Sequence, residues 1–254
     1  SFTFDSHNAN QYADLQGGLA VASVSGLSLY DANGDELAVV QAKLDTPAIR
    51  TGGKLTLAFD VGGTNLLAVR QSGETALSLT TQRPIFDADM AADGSLCYAT
   101  SESGYKTVLY VYGSNQNRIY RWLSASQFMP VCAVSAGGKY LASVSLGQRD
   151  GIYASSLHIF QTAKEDSGIT AALGGDLIYD LTFLDASTIC TVGESGAKWL
   201  DASGSLLADY TYNGAYLKDF DFGGDGFLSL IVNMYKAGNH CSVVTVDKTG
   251  TELG

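Results

Sequence analysis

The chain has 254 residues, 46% hydrophobic and only 16% charged, with 29 glycines and 3 prolines. It is therefore ordered and turn-rich, and long enough to bury roughly three quarters of its unfolded surface. A net charge of −11 with no basic run excludes nucleic acid and anionic membrane surfaces as electrostatic partners. The four cysteines, Cys97, Cys132, Cys190 and Cys241, and the three histidines, His7, His158 and His240, lack the paired spacing of a zinc site. The cysteines read as buried thiols, with a Cys97–Cys132 disulfide as the alternative. No apolar run approaches the roughly 18 residues that cross a bilayer, and no secretory h-region is present. The first residue is Ser1, which is expected if a leader or anchor has been removed or the chain is cut downstream of one.

From the N-terminus, the β-prone segment Ser1 to Asp5 precedes the first repeat. Six times the chain then runs from a short strand through a tight, mostly Gly-rich turn into a strongly apolar strand. The turns fall at Gly17-Gly18, Gly52-Gly53, Asp93-Gly94, Gly137-Gly138, Asp185 to Ser187 and Gly223-Gly224. A second signature, Asp-x-[Asn/Ser/Thr]-Gly between two strands, occurs at Asp31 to Gly34, Asp201 to Gly204 and Asp247 to Gly250, with a looser copy at Arg70 to Gly73. The aspartate accepts hydrogen bonds from backbone N–H groups a few residues on, and the glycine takes the left-handed conformation that closes a short hairpin. Oxygens at Asp31, Asn33, Asp35 and Glu36 also suggest a calcium loop, but glycine is missing from the sixth place and no helix pattern follows. The segment therefore reads as a hairpin.

The hairpin glycine advances from Gly34 to Gly250 over five repeats, about 43 residues each, which is one four-stranded propeller blade. With alternating or continuously apolar runs and no segment of helical period, the reading is all-β: one β-propeller domain over residues 1–254. Six blades are expected at about 9–44, 45–82, 83–125, 126–174, 175–212 and 213–254, with 1–8 closing the ring. Seven blades, or an incomplete ring in a truncated chain, are the alternatives. Blade four is the longest because of insertions at 147–155 and 162–168. Blade six leaves little chain for a fourth strand, so Phe2 to Asp5 is expected to complete it and avoid an open edge.

Gly18 to Gly34 and Val134 to Ser145, together with the long loop that follows, resemble an uncharacterised family of Gram-positive bacterial proteins related to WD40-like and PQQ-like propellers. The resemblance covers nearly the whole chain and implies an extracytoplasmic propeller behind a single N-terminal membrane helix, with no assigned activity. Residues 1–254 do not include that anchor and stop earlier than that pattern, so an anchor is expected upstream of Ser1 in the full-length protein. No functional residue is carried over.

Propeller ligands gather where the first strands of the blades meet the central channel. The polar residues there are Asp14, Arg50, Asp87, Asp89, Asp180, Asp219 and Asp221, and the paired aspartates share one strand face. Such carboxylates suit a cation, sugar hydroxyls or glycoside hydrolysis, or they cap neighbouring backbone N–H groups. The sequence has no sialidase-type Asp box, no nucleophile elbow and no phosphate loop. Trp122 and Trp199 are too few for repeated quinone docking, so neither a cofactor nor a metal is expected. Tyr105, Tyr110, Tyr112, Tyr120 and Trp122 cluster in blade three, where they stack on sugars or pack between blades.

The blade-four insertion, with Gln148, Arg149, Asp150 and Tyr153, breaks the repeat and is the candidate partner-binding loop. The functional expectation is a non-enzymatic, extracytoplasmic binding or scaffolding module for a protein or cell-envelope glycan, membrane-linked only through an anchor. A carbohydrate-active or metal-dependent hydrolase using the channel aspartates is the alternative.

Overall fold

Strands buried on both faces need continuous apolar runs, whereas strands at an outer edge need only alternate. Both patterns recur in the computed structural model, which describes residues 4, 7–149, 151–165, 168–223, 226–238 and 240–254. Blade one is β1 (Gln11–Leu15), β2 (Gly18–Ser23), β3 (Gly26–Tyr30) and β4 (Glu36–Gln41). Blade two is β5 (Pro47–Gly52), β6 (Leu55–Asp60), β7 (Asn65–Arg70) and β8 (Thr75–Thr80). Blade three is β9 (Asp87–Met90), β10 (Leu96–Glu102), β11 (Tyr105–Tyr112) and β12 (Arg118–Ser124). Blade four is β13 (Phe128–Val134), β14 (Tyr140–Arg149), β15 (Ile152–Gln161) and β16 (Ile169–Gly174). Blade five is β17 (Ile178–Phe183), β18 (Thr188–Gly193), β19 (Gly196–Asp201) and β20 (Leu206–Thr211). The last blade is β21 (Tyr216–Asp221), β22 (Phe227–Asn233) and β23 (Cys241–Asp247).

Consecutive strands pair antiparallel within β1 to β4, β5 to β8, β9 to β12, β14 to β16, β17 to β20 and β21 to β23. This is the six-bladed, all-β propeller expected from the repeats. Contacts divide the chain into two compact units, residues 1–139 and 140–254, the division falling within the fourth sheet.

Within the first unit, Leu15, Leu27, Leu29, Leu44, Ile49, Leu67 and Val69 form the core between blades one and two. Leu57, Phe59, Leu66, Ile85, Leu96, Tyr98 and Val108 form the next core, between blades two and three. β6 meets a core on each side, and all six of its residues are buried. The outer strands β4 and β8 alternate instead. In the second unit, the fully buried Trp199 packs with Cys190, Val192, Tyr212, Leu228, Leu230 and Val246 between blades five and six.

The Asp-x-x-Gly turns are as the sequence indicates. Asp201 Oδ1 accepts the N–H groups of Ser203 at 2.8 Å and Ser205 at 2.9 Å. Asp31 receives Asn33 and Asp35, and Asp247 receives Thr249 and Thr251, in the same way. Gly204, at φ +80°, closes the turn with its N–H on Asp201 O at 2.9 Å. The looser copy keeps the backbone bonds without an aspartate: Gly73 N–H reaches Arg70 O, and Arg70 N–H reaches Glu74 O, both at 2.8 Å. The carboxylate is thus an added acceptor rather than a requirement of the backbone path.

Two segments differ from their expected form. The insertion at 147–155 is not a loop but the continuation of a hairpin, since β14 and β15 are ten residues each and their pairing runs on to Gln148↔Tyr153 and Arg149↔Ile152. Leu-Gly-Gln-Arg has little strand propensity, and the cross-strand hydrogen-bond ladder overrides it. In the last blade, β23 is followed by a short return in which Glu252 bridges Val246 and Leu253 N–H donates to Thr245 O at 2.8 Å. The expected closing strand, Phe2 to Asp5, lies outside the described residues except for Phe4. Its ring sits 5.5 Å from that of Tyr12 and 6.3 Å from that of Tyr30, in blade one.

Hydrogen bonds hold the pKa of all three turn aspartates below the ordinary carboxyl value of 3.8. The largest contribution comes from the Asp35 N–H for Asp31, the Ser203 hydroxyl for Asp201 and the Thr249 hydroxyl for Asp247. A depressed folded-state pKa contributes stability that is present above the unfolded value and lost as pH falls through the folded one. The triple variant Asp31→Ala/Asp201→Ala/Asp247→Ala is therefore expected to melt below the wild type at pH 7, with the gap closing below pH 3.8. Thermal melts across that window check it, and a gap independent of pH would contradict it.

Candidate functional site

The first strand of a blade has one edge with no partner inside its own sheet, and alternate N–H groups along that edge need acceptors. On β13 two of these are the N–H groups of Cys132 and Val134. They donate to Asp87 Oδ2 at 2.9 Å and to Asp89 Oδ2 at 3.1 Å, both aspartates on β9. The spacing of two between the carboxylates matches the spacing of two between the amides, so one strand face meets one strand edge. Both aspartates are buried, at 8% and 6% exposure. Asp93, in the turn after β9, adds a third link by accepting Gly137 N–H at 2.7 Å.

Beside this seam lie Cys97 and Cys132, free and buried, with their sulfurs 3.5 Å apart. Burial raises both thiol pKa values, with Asp87 and Asp89 as further contributors. They are the pair the sequence singled out, present here as thiols.

The other predicted polar residues make local contacts. Asp14 caps its own turn through Gln16 and Gly17, each at 3.1 Å. Arg50 donates to Ile49 O at 3.1 Å. In the second unit, half-buried Asp180 accepts Leu181 N–H at 2.8 Å, while the exposed Asp219 and Asp221 accept Phe220 at 2.9 Å and Gly223 at 2.8 Å. Among the described residues, no group of three His, Cys, Asp or Glu side chains is placed to hold a metal ion.

The β14–β15 hairpin brings Gln148 opposite Tyr153 and Arg149 opposite Ile152, while Asp150 lies outside the described residues. Ile152 and Tyr153 are 67% and 65% exposed. At the base of the hairpin, Ser155 donates its hydroxyl to Asp176 O at 2.6 Å, and Asp176 in turn accepts Ser195 N–H at 3.0 Å. The tip is thus presented from a tethered stem.

A cross-strand site that the sequence reading missed centres on His158 of β15. Ser145 Oγ lies 2.8 Å from Nε2 and Thr170 Oγ1 lies 3.2 Å from Nδ1. Burial lowers the imidazole pKa below 6.5. With hydroxyls on both nitrogens and, among the described residues, no carboxylate bonded to the ring to orient it for general-base work, this triple pins three strands together. Its members are 13 and 12 residues apart, so only the sheet register reveals it. Among the described residues, no helix is long and apolar enough to cross a membrane.

Residues 1–214 match the model of the Family of unknown function (DUF5711), and the chain belongs to that family. No curated protein matches it. Among solved structures it is similar to the β-propeller domain of Myceliophteria thermophila Cps50 (Swd1), at 11% identity and a TM-score of 0.69 over 96% of this chain and 83% of that one. The Dos1 propeller shares 11% identity with a TM-score of 0.60, over 93% and 66% of the two chains. The Neurospora crassa Pan2 WD40 domain shares 13% with a TM-score of 0.58, over 87% and 70%. At these identities the likeness is one of fold.

Removing a buried acceptor leaves its amide unsatisfied, at about 1–3 kcal/mol. Asp87→Ala and Asp89→Ala are each expected to lower the unfolding free energy by about that amount, and Asp87→Asn, which keeps an oxygen, by less. Urea denaturation measures this, and alanine variants as stable as the wild type would refute the assignment.

Proposed function

We propose that this DUF5711-family propeller is a non-enzymatic binding or scaffolding module for a protein or cell-envelope glycan, and that it works outside the cytoplasm. The observation that carries the reading is the β14–β15 hairpin, whose ten-residue strands present Ile152 and Tyr153 at 67% and 65% exposure. An exposed apolar pair on a tethered stem is a recognition surface with little ordering cost on binding. The WD40-like fold supports a binding role, since propellers with this architecture often serve as interaction scaffolds. The hydrolase reading draws no support from Asp87 and Asp89, each of which has an oxygen committed to a buried backbone amide. The extracytoplasmic placement, and attachment through an anchor, rest on the resemblance to membrane-anchored Gram-positive propellers.

A photo-crosslinker at Tyr153 in the native host is expected to yield a discrete protein adduct, or the protein should co-sediment with protease-treated envelope. The same crosslinker at the exposed Leu206 should yield no adduct, and Ile152→Ser/Tyr153→Ser should abolish binding without changing the melting temperature. No adduct and no sedimentation, or equal signal at both positions, would overturn the hairpin's role.

Location is tested separately. Cys241 is exposed while Cys97, Cys132 and Cys190 are buried, so a membrane-impermeant maleimide added to intact cells should label the protein, and Cys241→Ser should remove the label. Labelling only after lysis would place the domain inside.

A further inference from the structure

A cavity of about 410 Å³ opens in the first unit between the β8–β9 connection and the face of β10 to β12. Sheet register builds its floor. Tyr98 of β10 stands opposite Tyr110 of β11, which stands opposite Arg121 of β12, and Tyr112 stands opposite Arg118. The Tyr98 and Tyr110 rings stack at 4.9 Å, and both guanidinium carbons lie 5.6 Å from the Tyr110 centroid. Glu102 accepts the Tyr110 hydroxyl and, at 2.5 Å, Arg121 Nη2.

The wall comes from the β8–β9 connection. Arg83 O accepts the Thr81 hydroxyl at 2.6 Å and the Thr100 hydroxyl at 3.2 Å, and the Thr100 hydroxyl also reaches Pro84 O at 2.9 Å. The backbone that carries Arg83 is therefore tied to β10.

Three of the chain's six arginines line this cavity, against a single carboxylate, in a protein whose net charge is −11. Among the described residues, neither Arg83 nor Arg118 is paired with a carboxylate. Stacking on Tyr110 accounts for Arg118 and Arg121. It does not account for Arg83, which lines the same cavity from the β8–β9 connection. Arg83 and Arg118 line one cavity with no paired carboxylate, so their like charges repel, and a bound oxyanion relieves that repulsion through forked, charge-assisted hydrogen bonds. The remaining lining, Thr81, Gln82 and Ser101, supplies hydroxyl and amide groups. The volume falls at the small end of known ligand sites.

We propose that this cavity binds a small hydroxylated anion: a sugar carrying a carboxylate or phosphate, its oxyanion held by Arg83 and Arg118 and its hydroxyls by the polar rim. Glu102 occupies Arg121 and repels the incoming charge, which sets a modest affinity. The site is independent of the β14–β15 hairpin, and neither reading requires the other.

The test is titration calorimetry of the intact chain with glucuronate, glucose 6-phosphate, inorganic phosphate and neutral glucose. At least one anionic sugar should bind, more weakly as salt is raised, and glucose should not. The preferred anionic sugar distinguishes a carboxylate from a phosphate source, and inorganic phosphate should bind more weakly than that sugar. Arg83→Ala, on an exposed side chain, should cost about tenfold in affinity, and Glu102→Gln should tighten binding by removing the competing charge. The proposal fails if no anionic sugar binds, if glucose binds as well as the anions, or if Arg83→Ala leaves affinity unchanged. Loss of binding in Glu102→Gln would also sink it, since a purely structural Glu102 predicts no tightening.

Discussion

The structure of the first unit depends on carboxylates that take backbone N–H groups the sheets leave unpaired. A propeller blade stacks on its neighbours through faces, not edges, so the inward edge of each first strand has no ladder to join. Asp87 and Asp89 fill that role for β13, and Asp93 does so for the turn that follows it. Asp60 plays a related part inside blade two, accepting the N–H of Thr46, just before β5, at 2.7 Å while only 4% exposed. A chain with 26 acidic residues thus uses buried aspartates as acceptors for backbone amides that the ladders leave unpaired, at Asp87 and Asp89 from one blade to the next. That sets them apart from the exposed carboxylates such as Asp219 and Asp221.

This division of labour shapes the functional account. Buried carboxylates engaged with amides are poor candidates for proton transfer or metal binding, because moving their oxygens would strand the N–H groups they hold. On the proposed binding role, recognition falls to features the ladder does not need. The β14–β15 hairpin extends past the length that blade packing requires and ends in exposed apolar side chains. The arginine-lined cavity stands on an aromatic row whose burial already stabilises the blade interface. In both places, side chains that are unnecessary for folding sit on elements that folding holds rigid.

What the sequence made legible follows the range of the interactions involved. The Asp-x-x-Gly turns were readable because all their bonds close within five residues, and the blade count followed from their spacing. Strand membership of Gln148 and Arg149 was not, since their pairing with Tyr153 and Ile152 comes from the ladder rather than from propensity. That Asp87 and Asp89 share a face was visible from the period of two, as was the possibility that they cap neighbouring amides. Which amides they cap was not, because Cys132 and Val134 lie 45 residues on. The arginine cavity left no local signal: Arg83, Glu102, Arg118 and Arg121 meet only through sheet register and blade packing. The tyrosine cluster is visible in the sequence, but Tyr98, which stacks at its centre, belongs to a strand that reads simply as apolar.

The most direct test of the central claim is native-state hydrogen exchange at the amides of Cys132 and Val134. If the carboxylates of Asp87 and Asp89 close this edge, both amides should be protected like the interior of β10 and exchange only with global unfolding. Rapid exchange there, at the rate of an unpaired edge strand, would show that the aspartates do not hold the amides, and would return them to the pool of candidate ligand-binding groups.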